Sequence, residues 1–210
     1  MKVRDALWLA LRDFYANSWR LLVVNTVLGA ALVASVLAAL AFPLAAVLVV
    51  GVGPIVAALV HCAVTLVRTG NLELGDAWVG FRLHWRRGLA LASLGAALVA
   101  LGVFGVRFYT TTSLWPLAFL ALYVLVLLAI FQLVVWTVAI AVPDLSLSGV
   151  ARESVAVTVA RPGQTLALGL ALLLVNVAGI AAAVMPFLTL TIAYTFLVTA
   201  RVLVTPEEAS

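Results

Sequence analysis

Four uncharged polar side chains interrupt the long apolar runs of this sequence: Asn25, His61, Gln132 and Asn176. A polar group inside hydrocarbon is unfavourable unless it finds a partner, so such positions are the first place to look for ligand binding. If the four side chains met, they would form a polar pocket between helices that suits a small neutral solute. The alternative is that each makes one interhelical hydrogen bond, worth about 0.6 kcal/mol in membranes.

Other kinds of chemistry find little support. The only histidines are His61 and His84, and the only cysteine is Cys62, so neither a disulfide framework nor a Cys-based zinc site is expected. The apolar runs contain no Asp or Glu, which disfavours proton coupling and paired-carboxylate catalysis. Ser, His and Asp lack the spacing of a nucleophile with its base. We therefore predict a protein without catalytic residues, metal or cofactor.

The composition requires a membrane. Of the 210 residues, 66% are hydrophobic and only 10% are charged, against about 25% charged in a soluble domain. The charges cluster between long uncharged runs, as expected when a Lys or Arg at mid-depth costs about 3 kcal/mol. The net charge of +4 does not form the contiguous basic patch that nucleic acid would need.

The apolar runs predict six membrane spans. A span needs about 20 residues, and prolines at the starts of helices mark the turns between spans. The fold class is therefore an all-α polytopic membrane bundle in a single domain, 1–210, built as three hairpins. The expected spans are 21–41, 43–67, 88–106, 117–142, 165–184 and 187–204, with outer turns at Pro43, at 107–116 and at Pro186.

Lysine and arginine predict the orientation. Eleven of the twelve basic residues fall on one side of this arrangement, and only Arg107 falls on the other. Because cytoplasmic loops carry the excess of Lys and Arg, both termini are expected in the cytoplasm.

A weak internal repeat is also present. Arg12, Arg82 and Arg152 are spaced 70 residues apart in similar surroundings, which indicates possible repeats 1–70, 71–142 and 143–210. Each unit would be one short cytoplasmic amphipathic helix followed by one helical hairpin.

Aromatic residues line the first two of these amphipathic helices at helical spacing, with arginines beside them. Such a stripe is typical of a helix at the headgroup boundary, where it meets anionic lipid or a partner protein. The alternative is that these helices only cover the mouth of the bundle. The candidate interfacial or partner-docking residues are Trp8, Tyr15, Trp78, Phe81, Arg82, Trp85, Arg86 and Arg87.

Gly53 and Pro54 fall inside the second predicted span. A proline in a helix interior removes one backbone hydrogen bond and clashes with the preceding turn. We therefore expect either a kink or the start of a helix there, and the small residues Ala57 and Ala58 one turn on favour close helix packing.

Several strings resemble the YesL-like family of bacterial integral membrane proteins. They are the amphipathic start and first span with an internal Asn (11–25), the Gly-Pro-x-x-Ala-Ala motif (53–59), and the aromatic-basic segment (67–71 and 78–87). The stretch 25–53 is longer than is usual for that family, and the family's Thr before Gly-Pro is absent. The resemblance covers about the first 90 residues.

The family is a domain of unknown function, and its members are encoded beside genes for carbohydrate uptake and breakdown. The resemblance therefore implies an accessory role in carbohydrate uptake. We therefore expect a non-enzymatic accessory or scaffolding protein of the bacterial cytoplasmic membrane. Its partners would be the lipid bilayer and a transporter subunit or a second copy of itself. The alternative is a small-solute transporter or a substrate-binding membrane subunit with a polar pocket.

Overall fold

Every regular element is a helix in the part of the chain that the structure, a computed structural model, describes: residues 3–182 and 190–204. The elements in chain order are α1 (Val3–Ala16), α2 (Ser18–Ala41), a 3₁₀ helix (Pro43–Val47), α3 (Leu48–Gly51), α4 (Gly53–Thr69), α5 (Leu74–Thr110), α6 (Pro116–Ala141), α7 (Leu147–Ala160), α8 (Pro162–Ala182) and α9 (Ile192–Leu203).

Five of these helical stretches are long and apolar enough to cross a membrane: Ser18–Ala41, Leu48–Thr69, Leu74–Thr110, Pro116–Ala141 and Pro162–Ala181. The prediction of an all-helical membrane protein is therefore confirmed. α9 is apolar as well, but it has only 12 residues. The predicted turn at Pro186 lies outside the described residues, as do the facing ends of the last two predicted spans.

Helix α4 occupies the centre of the bundle. It packs against α2, α5, α6 and α9, and its side chains are buried around most of its circumference, including Ala57, Leu59, Val60 and Cys62. A helix that is apolar on all sides is stable either in lipid or among other helices, and α4 is surrounded by other helices. α4 is thus the element on which the other helices are positioned.

The Gly-Pro pair starts a helix. α3 ends at Gly51 and α4 begins at Gly53, with Pro54 in its first turn, where the missing N–H removes no hydrogen bond. α4 ends at Thr69 and is capped by Gly70, whose φ of 74° is left-handed and whose N–H donates to the Leu66 carbonyl oxygen at 3.0 Å. Of the two outcomes expected from the sequence, the structure has the helix start.

The amphipathic helices differ among the three predicted units. α1 and α7 are separate short helices, whereas the segment that carries Trp78 and Trp85 is continuous with the following span as α5. α5 has 37 residues, and is therefore about 55 Å long. No proline interrupts it, and Gly88, its one weak helix former near the expected boundary, is held in the helix by close packing on α4.

Candidate functional site

Asn176, one of the four polar residues expected to form a pocket, lines a cavity. The cavity has a volume of about 540 Å³ and lies between α2, α4, α6, α8 and α9. Asn176 Nδ2 donates to the Leu172 carbonyl oxygen at 2.7 Å and to Thr195 Oγ1 at 2.8 Å. Thr195 Oγ1 in turn donates to the Thr191 carbonyl oxygen at 2.7 Å. This pair forms a short polar strip on an otherwise apolar wall.

His61 lies on a different side of α4, against α5. Its ring is 5.3 Å from that of His84, centroid to centroid, with 48° between the planes. A Cβ added to Gly80 would lie 2.7 Å from the Cβ of His61, so α5 has a glycine where the imidazole packs. The two histidines form a packed pair between helices.

Gln132 and Asn25 lie at two further places. Gln132 on α6 faces Gly95 of α5, where an added Cβ would be 3.5 Å from Gln132 Nε2. Asn25 on α2 is fully buried. Neither amide atom of Asn25, nor Gln132 Oε1, has a hydrogen-bond partner among the described residues. Asn25, His61 and Gln132 are not among the described residues that line the cavity beside Asn176.

Two arginines bind the carboxyl end of α6 from other helices. Arg87 on α5 donates through Nη1 to the carbonyl oxygens of Ala139 at 2.7 Å and Val142 at 3.3 Å, and through Nη2 to that of Leu145. Arg68 on α4 donates to the Ala141 carbonyl oxygen at 2.8 Å. The last carbonyls of a helix lack partners within it and carry partial negative charge, so these cations cap α6. We call this group the α6 cap.

The α6 cap was not expected from the sequence. Arg87 was expected to face lipid or a partner, and it instead turns inward. One signal was available: the last turn of α6 contains no basic residue of its own, although a buried helix end needs some partner. The sequence does not show which of the arginines supplies it.

The remaining aromatic and basic candidates lie on the surface. Trp8, Tyr15, Trp78 and Trp85 are 70%, 84%, 62% and 43% exposed. Arg82 and Arg86 are exposed beside the rings on α5, and the Arg86 guanidinium lies 5.1 Å from the Trp85 ring centroid. Trp78 and Phe81 stack with their centroids 5.7 Å apart and 7° between the planes. We use the name aromatic-arginine rim for two sets of residues, Trp8 and Tyr15 on α1, and Trp78, Phe81, Arg82, Trp85 and Arg86 on α5.

α1 is fastened to the bundle, so its part of the rim is held in place. Arg201 on α9 forms an ion pair with Asp13 on α1, and both side chains are mostly buried, at 15% and 14% exposed. The Tyr194 hydroxyl donates to the Leu7 carbonyl oxygen at 3.0 Å. These contacts join residues nearly the whole chain apart.

A row of glycines on α5 also went unrecognised in the sequence. Gly80, Gly88, Gly95 and Gly102 follow one another at intervals of eight, seven and seven residues. Such spacing places them along one helix face. The first two glycines face α4 and the next two face α6. Both neighbouring helices therefore pack closely on α5 at these glycines.

Within residues 3–182 and 190–204, no three His, Cys, Asp or Glu side chains come together in a way that could hold a metal ion. Protein-family models, curated proteins and solved structures contain no match to this chain. The class of the molecule, a helical membrane bundle, therefore rests on the helices themselves.

Proposed function

We propose that this protein is a non-enzymatic scaffold or accessory subunit of the bacterial cytoplasmic membrane, which holds a partner protein on its aromatic-arginine rim. The observation that carries the proposal is the stack of the exposed Trp78 on the half-buried Phe81, on a helix that also carries the exposed Arg82 and Arg86 and is anchored in the bundle. Large aromatic side chains and arginine are the residues that contribute most of the binding energy at protein interfaces.

The attachment of both rim helices to the bundle favours docking of a partner over a role limited to covering the mouth of the bundle. Trp78 and Phe81 belong to α5, which continues unbroken into a membrane span. α1 is held by the Asp13–Arg201 ion pair. A surface whose helices are already held in place loses less conformational entropy when it binds.

The orientation and the number of spans belong to the same proposal. The basic residues lie at one side of the predicted spans, and this distribution favours a rim in the cytoplasm together with both termini. A sixth span at 187–204 would contain α9 and complete the third hairpin. The resemblance to the YesL-like family suggests that the partner is a subunit of a carbohydrate uptake system.

The scaffold is favoured over the alternative of a pathway for a small neutral solute. That alternative needs Asn25, His61, Gln132 and Asn176 around one cavity, and Asn176 alone of the four lines the cavity of about 540 Å³. The His61 ring packs on His84 of α5, and such a contact with one neighbouring helix suits a role in helix packing.

The test is affinity purification in mild detergent from the native membrane. Wild type is compared with the triple variant Trp78→Ala, Phe81→Ala and Trp85→Ala. The matched control is Phe104→Ala, Phe108→Ala and Phe119→Ala, which removes exposed rings from the other end of the α5–α6 pair. We expect a stoichiometric partner with wild type and control, and its loss with the rim variant. Recovery of no partner with any of the three proteins would overturn the proposal.

A further inference from the structure

The cavity between α2, α4, α6, α8 and α9 has features of a binding site in its own right. We infer that it binds an apolar chain bearing a hydroxyl group, drawn from the bilayer, with the hydroxyl donating a hydrogen bond to Asn176 Oδ1. The inference is independent of the aromatic-arginine rim, because none of the residues of the rim lines this cavity in the described structure.

The walls select against water and polar solutes. Among the described lining residues, Asn176 and Thr195 are the only ones with polar side chains, and the rest are aliphatic, aromatic or glycine, including Leu28, Val56 and Ile130. A buried water needs two to four polar partners, and a sugar would lose most of its hydrogen bonds here. A volume of about 540 Å³ falls within the usual range for small-molecule sites, about 300–1,000 Å³.

The polar strip selects for a hydrogen-bond donor. The orientation of the Asn176 amide is set by the Leu172 carbonyl oxygen, which can only accept, so Nδ2 points toward it. The second amide hydrogen is donated to Thr195 Oγ1. Asn176 Oδ1 accepts no hydrogen bond from the residues that the structure describes. A hydroxyl satisfies this oxygen, whereas an ether, ester or carboxylate offers only acceptors.

The mouth of the cavity faces the bilayer. Ala129 on α6 and Leu173 on α8 are lining residues that are also exposed. Asn176 lies 14 residues after Pro162, the first residue of α8, and is therefore about 21 Å along that helix. At this depth an opening between two spans leads into hydrocarbon. Mono- and diacylglycerols and isoprenoid alcohols are two classes of membrane molecule with the required apolar chain and hydroxyl.

The test is photolabelling of the full chain in lipid nanodiscs with a long-chain fatty alcohol that carries a diazirine. The matched probe is its methyl ether, which has the same chain and no donor. For wild type we expect labelled peptides from α6 and α8 and at least roughly tenfold stronger labelling by the alcohol, as one lost hydrogen bond of about 1.4 kcal/mol implies. Competition by dioleoylglycerol or by geranylgeraniol identifies the source.

Two variants test the site separately. Asn176→Leu should reduce labelling by the alcohol to the level of the ether. Ala129→Phe should block the mouth and abolish labelling by both probes, while Ala100→Phe, at an exposed position on α5, should leave it unchanged. Equal labelling of wild type by alcohol and ether would show that the cavity holds only ordinary acyl chains. That result, or labelling unaffected by Ala129→Phe, would overturn the inference and leave the scaffold proposal untouched.

Discussion

The two halves of α5 are held in different ways. In the first half, Gly88 lies directly against Gly53 of α4, and a Cβ on Gly88 would be 2.7 Å from the Gly53 carbonyl oxygen. In the second half, an added Cβ on Gly95 or Gly102 would meet only side chains of α6, those of Gln132 and Leu125. Backbone cannot move aside as a side chain can, so the half that carries the rim has a fixed position and the other half tolerates change.

Contacts between helices that involve charged side chains also lie at the arginine-bearing end of the bundle. The α6 cap joins Arg87 and Arg68 to the carboxyl end of α6, and the Asp13–Arg201 pair joins α1 to α9. At the opposite end of α5 and α6, large side chains such as Leu101, Phe104 and Phe119 are 65–69% exposed. In a bilayer such side chains contact lipid, which is as apolar as they are.

The largest expected effect is at the backbone contact. Gly88→Ala should lower the free energy of unfolding by about 3 kcal/mol, because the added methyl group overlaps backbone atoms of Gly53 and Pro54. Thermal unfolding in detergent, followed by tryptophan fluorescence, measures this. Gly75→Ala on the same helix, where an added Cβ meets nothing within 4 Å, should be neutral or slightly stabilising. Equal losses in the free energy of unfolding for Gly88→Ala and Gly75→Ala would show that the backbone contact is not the cause of the destabilisation.

A smaller effect is expected at the α6 cap. Arg87→Met keeps most of the apolar stem and removes the donors to Ala139, Val142 and Leu145. We expect a loss of about 2 kcal/mol in the free energy of unfolding, since carbonyls at a helix end would lack their charged partner. Arg86→Met, at the neighbouring exposed position, should stay within about 0.5 kcal/mol of wild type. A larger loss in the free energy of unfolding for Arg86→Met than for Arg87→Met would contradict a stabilising role of the α6 cap.

The smallest effect is expected in the second half of α5. Gly95→Ala places a methyl group 3.5 Å from Gln132 Nε2, an ordinary contact, so the change in the free energy of unfolding should stay within about 0.5 kcal/mol. The same thermal unfolding assay applies. A loss as large as that of Gly88→Ala would mean that the two halves are equally constrained.

Hydropathy was sufficient to predict the apolar helices, because the bilayer imposes their length. The Gly53-Pro54 pair was also readable, since proline has few permitted positions in a helix. By contrast, a helical period places Gln132 or His61 on a face of its helix without identifying the helix opposite. The bonds of Arg87 join residues 52 to 58 positions apart, and local spacing carries no information about them. The glycine row on α5 was only partly predictable. Its spacing is present in the sequence, but it indicates one helix face only when α5 is known to be a single continuous helix.

Docking of a cytoplasmic partner on the rim requires that the arginine-bearing side of the bundle face the cytoplasm. Cys62 is the only cysteine, so Cys62→Ala provides a background for single cysteines. Ser113→Cys lies in the turn between α5 and α6, and Ser148→Cys lies at the start of α7, both exposed. A membrane-impermeant maleimide applied to intact cells should label Ser113→Cys and should label Ser148→Cys only after permeabilisation. Labelling of Ser148→Cys from outside would contradict the account.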